Sequence, residues 1–157
     1  MKLYIEQKVF SWRDKFNVYD ENGGVKYYVE GEIFTWGKKL HVYDCFSHEV
    51  AYIEQEVLHF LPTYNIFVNG APAARIIKEF SFFRPRYSIE ELNWEIVGSF
   101  WLHDYSITEN GRPIVTIEKE WMTWGDCYEV DISEPSRELL ALGVVLTIDC
   151  VIDQSNN

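Results

Sequence analysis

The sequence predicts a mainly β domain, a closed barrel of about twelve antiparallel strands written as six hairpin repeats around a central apolar α-helix at the C-terminus. Three observations carry that reading. One phrase recurs six times along the chain, and each copy has the two-residue period of a strand with one buried face. The segment that breaks the pattern is apolar in every direction around a helix axis.

The recurrence is plainest in "KVFSWRDKFNVYD", Lys8 to Asp20, and "EIFTWGKKLHVYD", Glu32 to Asp44. Counted from the start of a unit, an aromatic stands four residues on, with further core-type residues eight and ten on. From Lys8 these are Trp12, Phe16 and Val18; from Glu32, Trp36, Leu40 and Val42; from Glu56, Phe60, Tyr64 and Ile66. From Glu79 they are Phe83, Tyr87 and Ile89; from Val97, Trp101, Tyr105 and Ile107; from Glu120, Trp124, Tyr128 and Val130. The unit starts are separated by 24, 24, 23, 18 and 23 residues.

Each unit reads as a hairpin. Offsets eight and ten share one strand face, and Ile5, Val29, Ile53, Ile76, Trp94 and Ile117 hold the inward position three residues upstream of each start. Leu3, Tyr27, Ala51, Ala74 and Val115 continue that face. Turn formers follow the aromatic at Gly37-Lys38, Leu61-Pro62, Arg84-Pro85 and Gly125-Asp126, and "DENGG", "NGAP" and "ENGRP" separate the units. An open sheet of this width would expose edges prone to pairing, so the sequence favours closure. A barrel of that many strands has a lumen its own side chains cannot fill. The plug is "SEPSRELLALGVVLTIDCVI", with Ser133 as cap, Pro135 in the first turn and an apolar helix over about 134–152. The domain therefore spans 1–152, with 153–157 a short polar tail. Gly143 lets the helix approach the wall.

The totals exclude several function classes. A formal charge of −11 argues against nucleic-acid backbones and against general adsorption to anionic lipid. Three cysteines, Cys45, Cys127 and Cys150, stand without CxxC spacing, which suits free thiols in a reducing compartment. "MKLYIEQKVF" reads as a strand, with no apolar signal core, and "LLALGVVLTI" is half the length a bilayer span requires. The expected location is the cytoplasm.

A barrel of this kind around a C-terminal helix resembles the Tubby C-terminal-like fold. The phrases "KVFSWRDKFNVYDENG", "YYVEGEIFTWGKKLHVYD", "KEWMTWGDCYEVDI" and "ELLALGVVLTIDCV" look like those of one branch, the LURP-one-related family, from about Met1 to Ile152. That resemblance implies the fold and transfers no catalytic residue. Relatives sharing the wider fold are associated with phosphoinositide binding or lipid movement. This chain lacks the cationic excess that the first implies and the palmitoylated cysteine tract and membrane segment that go with the second.

Candidate sites follow from departures within the repeat. The inward position one residue before each unit start holds Gln7, Gly31, Gln55, Lys78, Ile96 and Lys119, polar or charged in four of six units. The apolar helix carries one late charge, Asp149, which needs a partner if buried. The expectation is a buried polar layer at one barrel end, Asp149 meeting Lys78 or Lys119 with Gln7 and Gln55 beside them. The alternative is that rim bulges turn the lysines outward and Asp149 sits in solvent. A second, weaker candidate is an anion patch of Arg75, Arg84 and Arg86, near Lys78.

His41, His48, His59 and His103 lack metal-ligand spacing and read as ordinary strand or loop residues. The pairs Glu30/Glu32, Glu54/Glu56 and Glu118/Glu120 could suggest acid–base chemistry but fall on outward positions. The six unit aromatics are expected to pack the hairpin corners, the alternative being a stacking surface. With no GxSxG and no phosphate loop, no catalytic residue, cofactor or metal is assigned. The reading is a non-enzymatic binding or scaffolding domain whose protein partner is unknown; the alternative is a phospholipid-binding, membrane-associated regulator.

Overall fold

Alternate burial along short β-prone segments builds the wall: in Lys39–Tyr43, Leu40 and Val42 are buried while Lys39, His41 and Tyr43 face out. A computed structural model describes residues 1–6, 15–32, 36–79, 86–122 and 125–156, without side-chain detail at 86, 121, 122, 125, 126 and 153–156. Among the described residues the strands are β1 (Lys2–Glu6), β2 (Lys15–Tyr19), β3 (Val25–Gly31), β4 (Lys39–Tyr43), β5 (Glu49–Glu56) and β6 (Thr63–Val68). They continue as β7 (Ala71–Glu79), β8 (Arg86–Glu90), β9 (Trp94–Ser99), β10 (Asp104–Glu109), β11 (Arg112–Met122) and β12 (Gly125–Ile132), followed by α1 (Glu138–Asn156).

All neighbours are antiparallel, in the order β8-β7-β6-β5-β4-β3-β2-β1-β12-β11-β10-β9. Pairing of β1 with β12, Leu3 opposite Val130, joins the first strand to the last. No ladder among the described residues joins β8 to β9, so the barrel is nearly closed rather than closed as expected. At this seam β9 hugs β10: a Cβ on Gly98 would lie 2.8 Å from Tyr105 Cα. Side chains bridge the gap, with Tyr87 and Phe100 edge to face at 5.4 Å.

The hairpins alternate between two ends. At one end Asn69-Gly70 and Asn110-Gly111 turn with φ of 50° and 78° at both pairs, the two positive-φ positions of a type I′ turn that the sequence signalled. Register shifts recur at Val18/Tyr19, Val42/Tyr43, Ile66/Phe67 and Ile107/Thr108, all at offset ten of the repeat. Such bulges raise local twist and help a wide sheet curl.

The plug is where the sequence places it. Every residue from Ala141 to Ile152 is buried, and Gly143 sits so close to β6 that a Cβ would meet Ile66 Cγ2 at 2.8 Å. Its start differs from expectation. Pro135–Arg137 forms a 3-10 turn with Glu134 at the N-cap position and no side-chain cap, and Ser133 donates its N–H to Ile114 O at 3.0 Å. The helix also continues through the expected tail to Asn156. No helix among the described residues is long and apolar enough to cross a membrane.

Candidate functional site

The antiparallel order sends β1, β3, β5, β7, β9 and β11 toward one end, and α1 runs the same way, so its C-terminal half meets that end. The offset-eight residues converge there. Tyr64, Tyr105 and Tyr128 are fully buried in the lumen, and Tyr87 is half-buried. Cross-strand from them stand Gln55 (Tyr64), Lys78 (Tyr87), Gly98 (Tyr105) and Lys119 (Tyr128). Gly98 takes the place the repeat count gave to Ile96, because the shortened unit shifts the pairing by two residues.

Asp149 is buried, its side chain 1% exposed, so the solvent-exposed alternative fails. The lysine pairing is corrected as well. His103 Nε2 lies 3.1 Å from Asp149 Oδ1, and Tyr128 donates its hydroxyl to Asp149 Oδ2. The His103 ring stacks on Tyr128 at 4.6 Å. His103 reaches this position from the β9–β10 turn, with φ 51° and ψ 44°, at the end of the 3-10 turn Phe100–Leu102. The tyrosine hydroxyl, with the histidine ring nitrogen at hydrogen-bond distance, meets a carboxyl that burial would otherwise penalise. Burial, then the Asp149 charge, holds the Tyr105 and Tyr128 phenols well above their ordinary value. The buried Tyr105 hydroxyl, the Tyr87 hydroxyl and His103 Nδ1 have no hydrogen-bond partner among the described residues.

Lys78 and Lys119 keep the inward parity expected of them, since their pairings are in register and the bulges lie at the other end. They stop at the rim: Lys78 is half-buried and Lys119 exposed. Gln55 turns its carbonyl to the Lys38 N–H at 3.3 Å, and Gln7 lies outside the described residues. Among the described residues, the polar contacts of Asp149 are thus with His103 and Tyr128.

The anion patch loses its described member. The Arg75 guanidinium donates to both Glu56 oxygens at 3.1 Å and to Glu90 at 3.3 Å. The Arg86 side chain and Arg84 lie outside the description. The glutamate pairs face outward as expected and are engaged there: Lys15 with Glu30 at 2.9 Å, and His41 between Glu32 and Glu49 at 2.7 and 2.5 Å. Among the described residues no group of three or more His, Cys, Asp or Glu is placed to hold a metal ion.

The three described unit aromatics depart from the packing expectation. Trp36 is 85% exposed, Phe60 90% and Trp101 40%; Trp12, Phe83 and Trp124 lie outside the described residues. Offset four falls in the turn, beyond the last strand pair, so the side chain projects past the core. Leu58 and Leu102 beside them are 93% and 69% exposed, giving this end an apolar rim above the Asp149 anchor.

A twelve-stranded antiparallel wall filled by its own C-terminal helix defines a class, the helix-plugged barrel. The chain belongs to the LURP-one-related family, whose model matches residues 1–149. It is similar to the "Uncharacterized protein YxjI" of Bacillus subtilis (strain 168), at 30% identity over 152 residues, covering 97% of this chain and 94% of that one. Its fold is similar to the X-ray structure of the Arabidopsis thaliana protein AT5G01750, with a TM-score of 0.66 at 12% identity, covering 99% of this chain and 91% of that one.

Proposed function

We propose that this protein is a non-enzymatic binding module that docks a partner through the apolar rim at the C-terminal end of its helix. The observation that carries this reading is the exposure of Trp36, Leu58 and Phe60 on the neighbouring β3–β4 and β5–β6 turns, with Leu102 at the same barrel end. Contiguous apolar surface beyond a few hundred Å² is uncommon on a monomer and marks interaction sites. The repeat also writes an aromatic at offset four in all six units, although the core uses none of the three described.

The filled lumen supports a surface role. α1 occupies the space that a ligand-carrying barrel leaves open, and Asp149 is committed to holding that helix in register. Three free thiols, Cys45 exposed and Cys127 and Cys150 buried, suit a reducing compartment, so we place the protein in the cytoplasm. The plugged barrel likewise supports placing the family within the Tubby C-terminal-like fold. With Arg75 held by two carboxylates, the lipid-headgroup alternative gains no support from the described cations.

The test compares the wild-type chain with a W36S/L58S/F60S variant as immobilised baits in native extract. All three positions are exposed in turns, so the variant should fold, as circular dichroism would verify. Partners held by wild type and lost from the variant are expected; an identical set on both baits would refute the rim as the docking surface.

A further inference from the structure

We propose that the outer face of β2–β5 docks a basic segment of a partner protein, seating a lysine or arginine side chain over Tyr28 and Tyr43 against Glu30. This face lies on the side of the barrel, apart from the rim, so it can hold a partner whether or not the rim does.

The outward positions of an antiparallel wall wetted on one face normally read polar. Here six consecutive strands, β1 to β6, each turn one aromatic outward: Tyr4, Tyr19, Tyr28, Tyr43, Tyr52 and Phe67. They stand directly opposite one another as Tyr4 with Tyr19, Tyr28 with Tyr43 and Tyr52 with Phe67. The described side chains of β7–β12 turn no aromatic outward. Cross-strand aromatic pairs support a sheet, and most of this belt is satisfied from within. Tyr4, Tyr19 and Tyr52 donate their hydroxyls to Glu129, Glu6 and Glu54 at 2.9, 2.8 and 3.1 Å. The hydroxyls of Tyr28 and Tyr43 have no hydrogen-bond partner among the described residues. These two line an open depression of about 350 Å³ together with Glu30 and Ser47, and Tyr28 is 44% exposed.

Charge selects the occupant. A chain of net charge −11 draws cationic partners toward it, and three carboxylates act at the open tyrosine pair. Burial, then the charges of Glu49, Glu30 and Glu32, raise the Tyr43 phenol above its ordinary value, with Lys15 opposing them. Aromatic faces beside carboxylates suit an ammonium or guanidinium group. The chain's own cations mark the seat. Lys15 Nζ lies 2.9 Å from Glu30, Lys39 Nζ lies 3.7 Å from Glu32, and His41 sits between Glu32 and Glu49. An incoming cation must therefore compete. The weakest competitor is Lys15, whose side chain is 78% exposed, because exposed ion pairs of this kind add little. An arginine that gives two N–H groups to Glu30 while lying over the tyrosine rings displaces it.

The experiment is calorimetric titration of the full chain with a short arginine-rich peptide at low and moderate salt. The same peptide with citrulline in place of arginine, and a neutral oligosaccharide, are titrated in parallel. The arginine peptide should bind, more weakly as salt rises, and the two neutral probes should not. Y28S/Y43S removes the ring faces and should weaken binding about fivefold or more. Y28F/Y43F keeps the rings and should bind like wild type, which separates loss of the seat from loss of the fold. Glu30→Gln should weaken binding about threefold or more. Glu118→Gln removes the same charge from an exposed position on β11 and should leave binding unchanged. Lys15→Met takes away the internal competitor and should tighten binding about threefold. Absence of binding overturns the proposal, as does equal or tighter binding of the citrulline peptide or the oligosaccharide. Equal losses in Glu30→Gln and Glu118→Gln, with Y28S/Y43S unaffected, would also overturn it by showing only general attraction to an acidic chain.

Discussion

Gly143→Ala tests the enclosure of the helix through a sign reversal. In an exposed helix the change should stabilise by about 1 kcal/mol, because alanine is the better helix former. Here the new methyl would lie 2.8 Å from Ile66 Cγ2, and Ile66 is itself 1% exposed in the wall. Relieving that contact within a packed core costs about 1–3 kcal/mol. The net expectation is a loss of up to about 2 kcal/mol, or some 2–4 °C in Tm per kcal/mol for a chain of this size. Ile66→Ala alone should cost about 2–5 kcal/mol by opening a cavity. In that background the clash is gone, so Gly143→Ala should stabilise by about 1 kcal/mol. The coupling between the two sites is thus about 1–3 kcal/mol. Urea unfolding of the four proteins, read at constant m-value, supplies the cycle. Additivity, with Gly143→Ala stabilising in both backgrounds, would refute the packing of α1 on β6.

The remaining predictions concern the anchor, the outer face and the turns. Tyr128→Phe should destabilise by about 1–3 kcal/mol by stripping a hydrogen bond from buried Asp149, whereas Tyr105→Phe removes a hydroxyl without a described partner and should be neutral or stabilising. Equal losses in chemical denaturation would show that the network is wrongly assigned. His41 is held above its ordinary pKa: burial opposes its charge, but Glu49 and Glu32 on either side outweigh that. Its contribution to stability is then full below about pH 6.5 and fades as pH rises through the folded value. A pH series of melting curves should show that decline in wild type and not in His41→Gln. Gly70→Ala meets no atom within 4 Å, so backbone strain at φ +78° alone should cost about 1–2 kcal/mol. A neutral result would argue against the type I′ turn.

Legibility differed by scale. The repeat made the wall readable because one hairpin geometry imposes one set of inward positions, and α1 was readable because residues apolar all round need enclosure. Asp149 stood out as the lone late charge in that helix. Its partners did not, since His103 acts from a turn 46 residues away in sequence, in a left-handed conformation that no spacing rule supplies. A signal was present nonetheless: offset eight is tyrosine in four of six units, which writes hydroxyls onto an inward face. Lysine complements the charge of Asp149, but the groups within hydrogen-bond distance of it are His103 and Tyr128. Repetition alone does not mean packing, as the exposure of Trp36 and Phe60 shows. Turn residues repeat with the hairpin whether or not the core uses them.

Native-state hydrogen exchange on α1 tests the plugged barrel most directly. If the wall encloses the helix, amides from Ala141 to Ile152 should exchange only through global unfolding, with the same free energy as the most protected amides of β5 and β6. Helix amides that open at a free energy lower by more than about 2 kcal/mol, while the strands stay protected, would contradict the account.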